Sequence, residues 1–214
     1  SVSYGVGIAT LNLPIKSDNS VVVMEDQFPS NYYGWFEKTK NVGANLIVSK
    51  RRKDQSITDN LINQIQSNTS VVAIPNCHWT DGAIIDIQSV SEKCHHVGST
   101  IVLDLAQSAG VLPISISDID PDFIIAPSYK WLLGPYSLTF IYIAPRWQEG
   151  IPLEHNWINR SHSKDFSNLS HYQKDFQTGA RRFDVGERSN FAIMPMAITA
   201  FKQILEWKIQ NVNE

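Results

Sequence analysis

The sequence is poor in cysteine, in charge and in long apolar runs. It has two cysteines among 214 residues, Cys77 and Cys94, so a disulfide-stapled fold is not expected and a reducing, cytoplasmic setting is predicted. Charged residues make up 18% of the chain and its net charge is -3, which argues against a nucleic-acid partner and against a disordered tail. The uncharged run 131–145 has 15 residues, fewer than the roughly 18 that suggest a membrane span. No membrane partner is therefore expected.

The two ends of the sequence also lack familiar signals. No methionine precedes Met24, and the apolar stretch 1–13 has no basic region of the kind that opens a signal peptide. We expect residues 1–214 to form one large domain, and we expect the chain to be a fragment without an N-terminal segment and without a smaller C-terminal domain.

What the sequence does contain is an alternation of apolar runs with helical patterns. Strands are predicted over 21–25, 44–49, 71–75, 101–105, 123–126 and 138–143. Helices are predicted over 2–11, 31–40, 57–65, 86–95 and 191–207, the fourth opened by Asp86 and closed by Gly98. Continuous apolar strands separated by helices indicate an α/β fold, a mostly parallel sheet with helices on both faces. The last strand follows too closely for a helical crossover, so it is expected to be antiparallel, and 146–180 is expected to be irregular.

Ligands of such sheets bind beyond the carboxyl ends of the strands. The segments to inspect are therefore 26–31, 76–82, 104–107 and 127–130. Asp104 and Lys130 each end an apolar strand, and two interpretations of this acid and this amine remain open. One is a salt bridge. The other is a lysine that attacks a carbonyl to form a Schiff base, with the acid keeping a pyridine nitrogen protonated.

The residues around this pair carry a resemblance. Asp104-Leu-Ala-Gln107 and Pro127-Ser-Tyr-Lys130-Trp, together with Glu25-Asp-Gln-Phe28-Pro-Ser-Asn31 and Pro75-Asn-Cys-His78-Trp, resemble the class V aminotransferase family of pyridoxal-phosphate (PLP) enzymes. That family includes cysteine desulfurases, kynureninase and isopenicillin N epimerase-like proteins. The resemblance covers nearly the whole chain, as the large domain of a typical member.

The resemblance implies a role for each of these residues. Lys130 would form the Schiff base and then act as the catalytic base, and Asp104 would pair with the pyridine N–H. Gln107 would hydrogen-bond the ring's O3′, and Phe28 would stack on the ring face. Asn31 and His78 would line the same pocket. Because the stacking residue of cysteine desulfurases is a histidine, Phe28 favours the kynureninase-like and epimerase-like branches.

The resemblance also implies how the phosphate is held. Ser3 begins a helix, where free N–H groups and the positive dipole end favour an anion. Ser128 and Tyr129 would add donors, and Asn190 would reach the phosphate of a neighbouring subunit, since family members are homodimers.

The function that follows is that of a PLP-dependent enzyme acting at the Cα of an amino acid, in the manner of an aminotransferase or an epimerase. Two alternatives stay open. One is a PLP-dependent lyase, such as a cysteine desulfurase, or a kynureninase-like hydrolase. The other is a non-catalytic member that binds PLP or a partner, against which the pairing of Asp104 with Lys130 argues.

Two further groups of residues could form sites. The run 94–96, Cys-His-His, and the pair Cys77-His78 do not have the spacing of a zinc site, so no metal is expected, and the run is predicted to lie at an exposed helix end. The basic run 50–53 is predicted to be a solvated loop.

Overall fold

A computed structural model describes residues 1–52 and 54–213, so Lys53 of the basic run lies outside the described residues. Six strands form one sheet: β1 Ser20–Met24, β2 Asn45–Ser49, β3 Thr69–Pro75, β4 Thr100–Asp104, β5 Phe123–Pro127 and β6 Thr139–Ile143. The helices are α1 Val2–Asn12, α2 Tyr33–Val42, α3 Ile57–Gln64, α4 Ile87–Val97, α5 Ile116–Ile119, α6 Ile193–Trp207 and α7 Ile209–Asn213. Single turns of 3₁₀ helix occur at Pro29–Asn31, Pro145–Trp147, Phe166–Asn168 and Gly179–Phe183.

The sheet has the strand order β2-β1-β3-β4-β5-β6. Every neighbouring pair is parallel except β5 and β6, which are antiparallel. The predicted α/β architecture with one antiparallel strand is confirmed. The register places Asp104 beside Pro75 on one side and beside Ile125 on the other, so the carboxyl ends of β3, β4 and β5 meet at one edge.

Successive strand residues point to opposite faces, and two cores result. Val22, Val72 and Leu103 belong to the core that α3 and α4 cover, whereas Val21 and Val102 belong to the core that α1 and α2 cover. Burial on both faces explains why the strands are continuous apolar runs with no polar alternation. Helices on both faces of the sheet, as predicted, are confirmed.

The structure also decides several local predictions. Asp86 caps α4 by accepting a hydrogen bond from the Ser89 amide at 3.2 Å, and Gly98 ends the helix in the left-handed conformation, both as predicted. His95 and His96 are exposed at the helix end, also as predicted. The prediction is wrong for Cys94, which is fully buried because it lies one turn after Val90 on the inner face of α4.

Within the part of the chain that the structure describes, no helix is both long enough and apolar enough to cross a membrane. In the same part, no group of three or more His, Cys, Asp or Glu side chains is placed to hold a metal ion.

Candidate functional site

A narrow recess lies where the loops that follow β1, β3, β4 and β5 converge. Its water-accessible volume is small, about 10 Å³. Ten residues line it: Gln27, Phe28, Asn31, Pro75, Cys77, Trp79, Asp104, Ala106, Gln107 and Lys130. Five of these, Phe28, Asn31, Asp104, Gln107 and Lys130, are sequence-predicted site residues, so the structure brings together half of the predicted set.

Asp104 forms the floor of the recess. Its side chain is buried, and Oδ1 accepts a hydrogen bond from the Ala106 amide at 3.0 Å. Burial raises the pKa of Asp104 from its ordinary 3.8 to about 6, an effect that the Ala106 hydrogen bond and the positive charge of Lys130 oppose. Among residues 1–52 and 54–213 no other side chain or amide donates to this carboxylate. The site therefore holds a buried acceptor with capacity for a cationic or N–H partner.

Lys130 faces the same space from the loop after β5. Its Nζ lies 5.5 Å from the centroid of the Phe28 ring and 6.0 Å from that of Tyr129. No carboxylate of the described residues lies within 4.0 Å of this amine, so the salt bridge between Asp104 and Lys130 that the sequence left open is not formed. Acid and amine share one recess without neutralising each other, which leaves the amine available to a third group.

Asn31 supplies a polar group that has no partner. It is buried, its Oδ1 accepts from Trp35 Nε1 at 3.1 Å, and its Nδ2 is a buried donor without a hydrogen bond. A donor left unsatisfied in this way costs about 1–3 kcal/mol. Gln27, which sequence reasoning missed, fixes the turn by donating from Nε2 to the Asn31 carbonyl at 2.5 Å and accepting from the Met24 amide at 3.0 Å. The orphaned donor therefore points to a ligand acceptor in the recess.

His78 lies outside the recess. Its Nε2 is 3.0 Å from the Glu25 carbonyl oxygen and its Nδ1 is 2.8 Å from Thr80 Oγ1, so both ring nitrogens are engaged within the fold. Cys77, which forms an isolated antiparallel bridge with Ile84, and Trp79, in the turn that follows, line the recess in its place.

The predicted phosphate-binding residues also lie apart from the recess lining. Ser128 is fully buried, and its hydroxyl donates to the Pro135 carbonyl. Tyr129 is exposed and packs on Tyr136, with 4.6 Å between ring centroids. Ser3 is exposed at the start of α1, where its hydroxyl lies 2.9 Å from that of Ser1.

Asn190 belongs to a second groove. Its Oδ1 accepts from the amides of Ala192 and Ile193 at the start of α6, and it lines this groove together with Ser1 and Tyr4. No described contact joins it to the recess that holds Asp104 and Lys130.

Gly110 sets the position of the loop that carries Lys130. Its φ is +97°, and a Cβ built there would lie 2.5 Å from the carbonyl oxygen of Trp131, the residue after the lysine. Gly98 also has a positive φ, of +78°, but a Cβ there would meet nothing within 4 Å. Substitutions at these two glycines therefore distinguish the cost of backbone strain, which both share, from the cost of a steric clash, which only Gly110 has.

We expect Gly98→Ala to lower the free energy of unfolding by about 1–2 kcal/mol, through left-handed strain alone. Gly110→Ala should cost about 1–3 kcal/mol more, since the methyl group must displace the Trp131 carbonyl. Urea unfolding with an unchanged m-value measures both. Equal losses in the two variants would show that the loop yields freely and that Gly110 does not set its position.

The chain is similar in sequence to proteins of one known family. A family model described as aminotransferase class-V matches residues 5–213. The uncharacterized aminotransferase YcbU of Bacillus subtilis is 29% identical over 120 residues, which cover 56% of this chain and 32% of that protein. The kynureninase of Bacillus cereus is 25% identical over 165 residues, covering 74% of this chain and 39% of that protein.

The fold is shared with solved structures as well. A variant of C-DES described with glycine covalently linked to its PLP cofactor aligns with a TM-score of 0.81 and 17% identity, over 96% of this chain and 54% of that one. This likeness shows the fold alone. The chain spans 32% and 39% of the length of the two curated relatives.

Proposed function

The chain belongs to the class-V aminotransferase family, and from this premise we propose that it is the large, PLP-binding domain of an enzyme that acts at the Cα of an amino acid. The observation that carries the proposal is that Asp104 and Lys130 line the same recess. A buried carboxylate and an unneutralised amine face one recess at the ends of neighbouring strands, beneath an exposed aromatic face.

The lining of the recess suits PLP. The buried Asp104 carboxylate has capacity for a pyridine N–H, the orphaned Asn31 Nδ2 can donate to a polar group of the ring, and Phe28, 39% exposed, offers a flat apolar face. When bound, PLP supplies an aldehyde that binds amines covalently and a ring that withdraws electrons from the substrate's Cα.

Asp104 and Lys130 then have complementary tasks. Asp104 would accept a hydrogen bond from the pyridine N–H, and the positive charge of that nitrogen would replace the solvent that burial removed from the carboxylate. Lys130 would bind the aldehyde carbon through Nζ, with the aldehyde oxygen leaving as water, and would later hold the proton that leaves Cα.

The other residues orient the ring. Phe28 would stack on the ring of the cofactor, and Lys130, whose Nζ lies 5.5 Å from the centroid of the Phe28 ring, would direct its amine to the aldehyde. Gln107 and Asn31 would contact polar atoms of the ring, and Ser3 would place a hydroxyl at the N-terminus of α1, where an anionic phosphate is favoured. His78 does not line the recess. It supports the recess indirectly, because its hydrogen bond to the Glu25 carbonyl joins the loop after β3 to the loop after β1.

The experiment is a titration of the purified chain with PLP, followed by borohydride reduction and peptide mapping. We expect a visible absorbance band that saturates at one PLP per chain, and an adduct on Lys130. The matched control is Lys93→Ala, on α4 away from the recess, which should leave the adduct unchanged. An adduct spread over several lysines, or placed on a lysine other than Lys130, contradicts the assignment.

A further inference from the structure

The outer wall of the recess is a contact between two loops. The ring of Trp79, from the loop after β3, stands edge-on to the ring of Phe28, from the loop after β1, with 5.5 Å between centroids and 89° between planes. Trp79 Nε1 donates to the Asp26 carbonyl at 2.6 Å. Both rings are exposed, Phe28 by 39% and Trp79 by 45%. Because burial does not fix such rings, the wall depends on polar contacts between the loops, of which the hydrogen bond of Trp79 is one.

Arg51, from the loop after β2, joins all three loops. Both of its terminal guanidinium nitrogens donate to the Asp81 carboxylate, and Nη2 lies 3.1 Å from Oδ1. Its backbone amide donates to Glu25 Oε2 at 2.8 Å, next to the start of the Phe28 turn. Asp81 Oδ1 also accepts from the Ala83 amide at 3.1 Å, so the carboxylate braces its own loop. The arginine therefore clamps the loop that carries Trp79 to the loop that carries Phe28.

Two features separate this pair from an ordinary surface ion pair. Its geometry is bidentate, which fixes orientation as well as distance. It also lies beside the buried His78, whose Nδ1 is 3.8 Å from the same carboxylate and whose Nε2 reaches Glu25. The neighbouring pair, Arg52 with Asp54, is also bidentate, but its contacts are longer, at 3.3 and 3.5 Å. Both of its side chains are largely exposed, and it joins two residues of one loop, so it does not connect different loops.

We propose that Arg51 and Asp81 are positioning residues that hold the Trp79–Phe28 wall in place for ligand binding. The ligand part of this inference rests on the proposed function, because PLP is the ring that the wall would stack on. The mechanical part, which is that the pair restrains Trp79 and Phe28, concerns the chain without any ligand. Neither residue belongs to either hydrophobic core, so loss of the pair releases the wall and leaves the sheet intact.

The test compares Arg51→Gln, Asp81→Asn and the double variant with Arg52→Gln, the matched control from the same loop. The first readout is quenching of Trp79 fluorescence by acrylamide, taken as the difference between each variant and the same variant carrying Trp79→Phe. The second is the dissociation constant of PLP. Thermal unfolding of every variant verifies that the fold is retained.

We expect Arg51→Gln and Asp81→Asn to increase quenching of Trp79 and to weaken PLP binding about tenfold, the effect of one charge-assisted contact. The double variant should be no worse than either single one, since the two residues act as a unit. Arg52→Gln should match the wild type. If Arg51→Gln and Asp81→Asn behave like Arg52→Gln in either readout, the inference is overturned. Should the wild type fail to bind PLP, the proposed function fails, and Trp79 quenching alone then decides the mechanical part.

Discussion

Replacing Lys130 by alanine should abolish covalent retention of PLP and lower the rate of Cα-proton exchange by about 10²–10⁴-fold, the usual contribution of a positioned acid–base group. The physical reason is the environment of the amine. It is half-buried, its Nζ lies 5.5 Å from the Phe28 ring, and the described residues provide no carboxylate to neutralise it. Among residues 1–52 and 54–213, no other lysine lines the recess, so no described neighbour can take over its task.

Two measurements test this expectation independently. Borohydride reduction in the presence of PLP reports covalent retention without any substrate. Exchange of the Cα proton for deuterium, followed by NMR with the amino acid that the wild type exchanges fastest, reports the second role. Lys93→Ala is the control for both. Persistence of covalent PLP in Lys130→Ala at the wild-type level would assign the attachment to another residue.

The sheet and the inner part of the site were predictable because they follow from local rules. Apolar, β-branched runs predict buried strands, and the short link before β6 forces an antiparallel pair. The rule that ligands bind at strand carboxyl ends identifies 26–31 and 127–130, and the structure brings Phe28 and Lys130 from these segments into one recess. A position at the end of a strand is thus a stronger signal than residue type alone.

The outer part of the site depends on contacts that a single sequence does not encode. His78 and Cys77 are adjacent, and only the bridge to Ile84 decides which of them faces the recess. Arg51 belongs to a basic run that predicts a solvated loop, yet it forms a bidentate pair with Asp81, 30 residues later. Such pairings depend on how loops from different strands converge, and local propensity contains no information on that.

Asp104→Asn should raise the free energy of unfolding of the PLP-free protein and lower the rate of Cα-proton exchange. Buried without a cationic partner, the Asp104 carboxyl has its pKa raised from 3.8 to about 6. An acid whose pKa is higher in the folded state destabilises that state once it ionises. The cost is absent below about pH 4, where both states are protonated, grows as the pH rises from about 4 to 6, and is constant above it. A shift of about two units corresponds to about 3 kcal/mol.

Without PLP, the asparagine variant should therefore exceed the wild type in free energy of unfolding at pH 7.5, by up to about 3 kcal/mol, and the difference should shrink as the pH is lowered towards 4. PLP should narrow or cancel this difference, because only the carboxylate gains a charge-assisted hydrogen bond to the pyridine N–H, worth about 1.5–3 kcal/mol. Exchange of the Cα proton should fall by far more than binding does, since the lost charge acts on the transition state. Urea unfolding at pH 7.5 and pH 4, with and without PLP, measures these differences. An asparagine variant that is less stable than the wild type without PLP at pH 7.5 would mean that Asp104 is a structural residue, stabilised in its charged form by the fold itself. A buried acid that costs stability until its ligand arrives is instead a residue retained for binding.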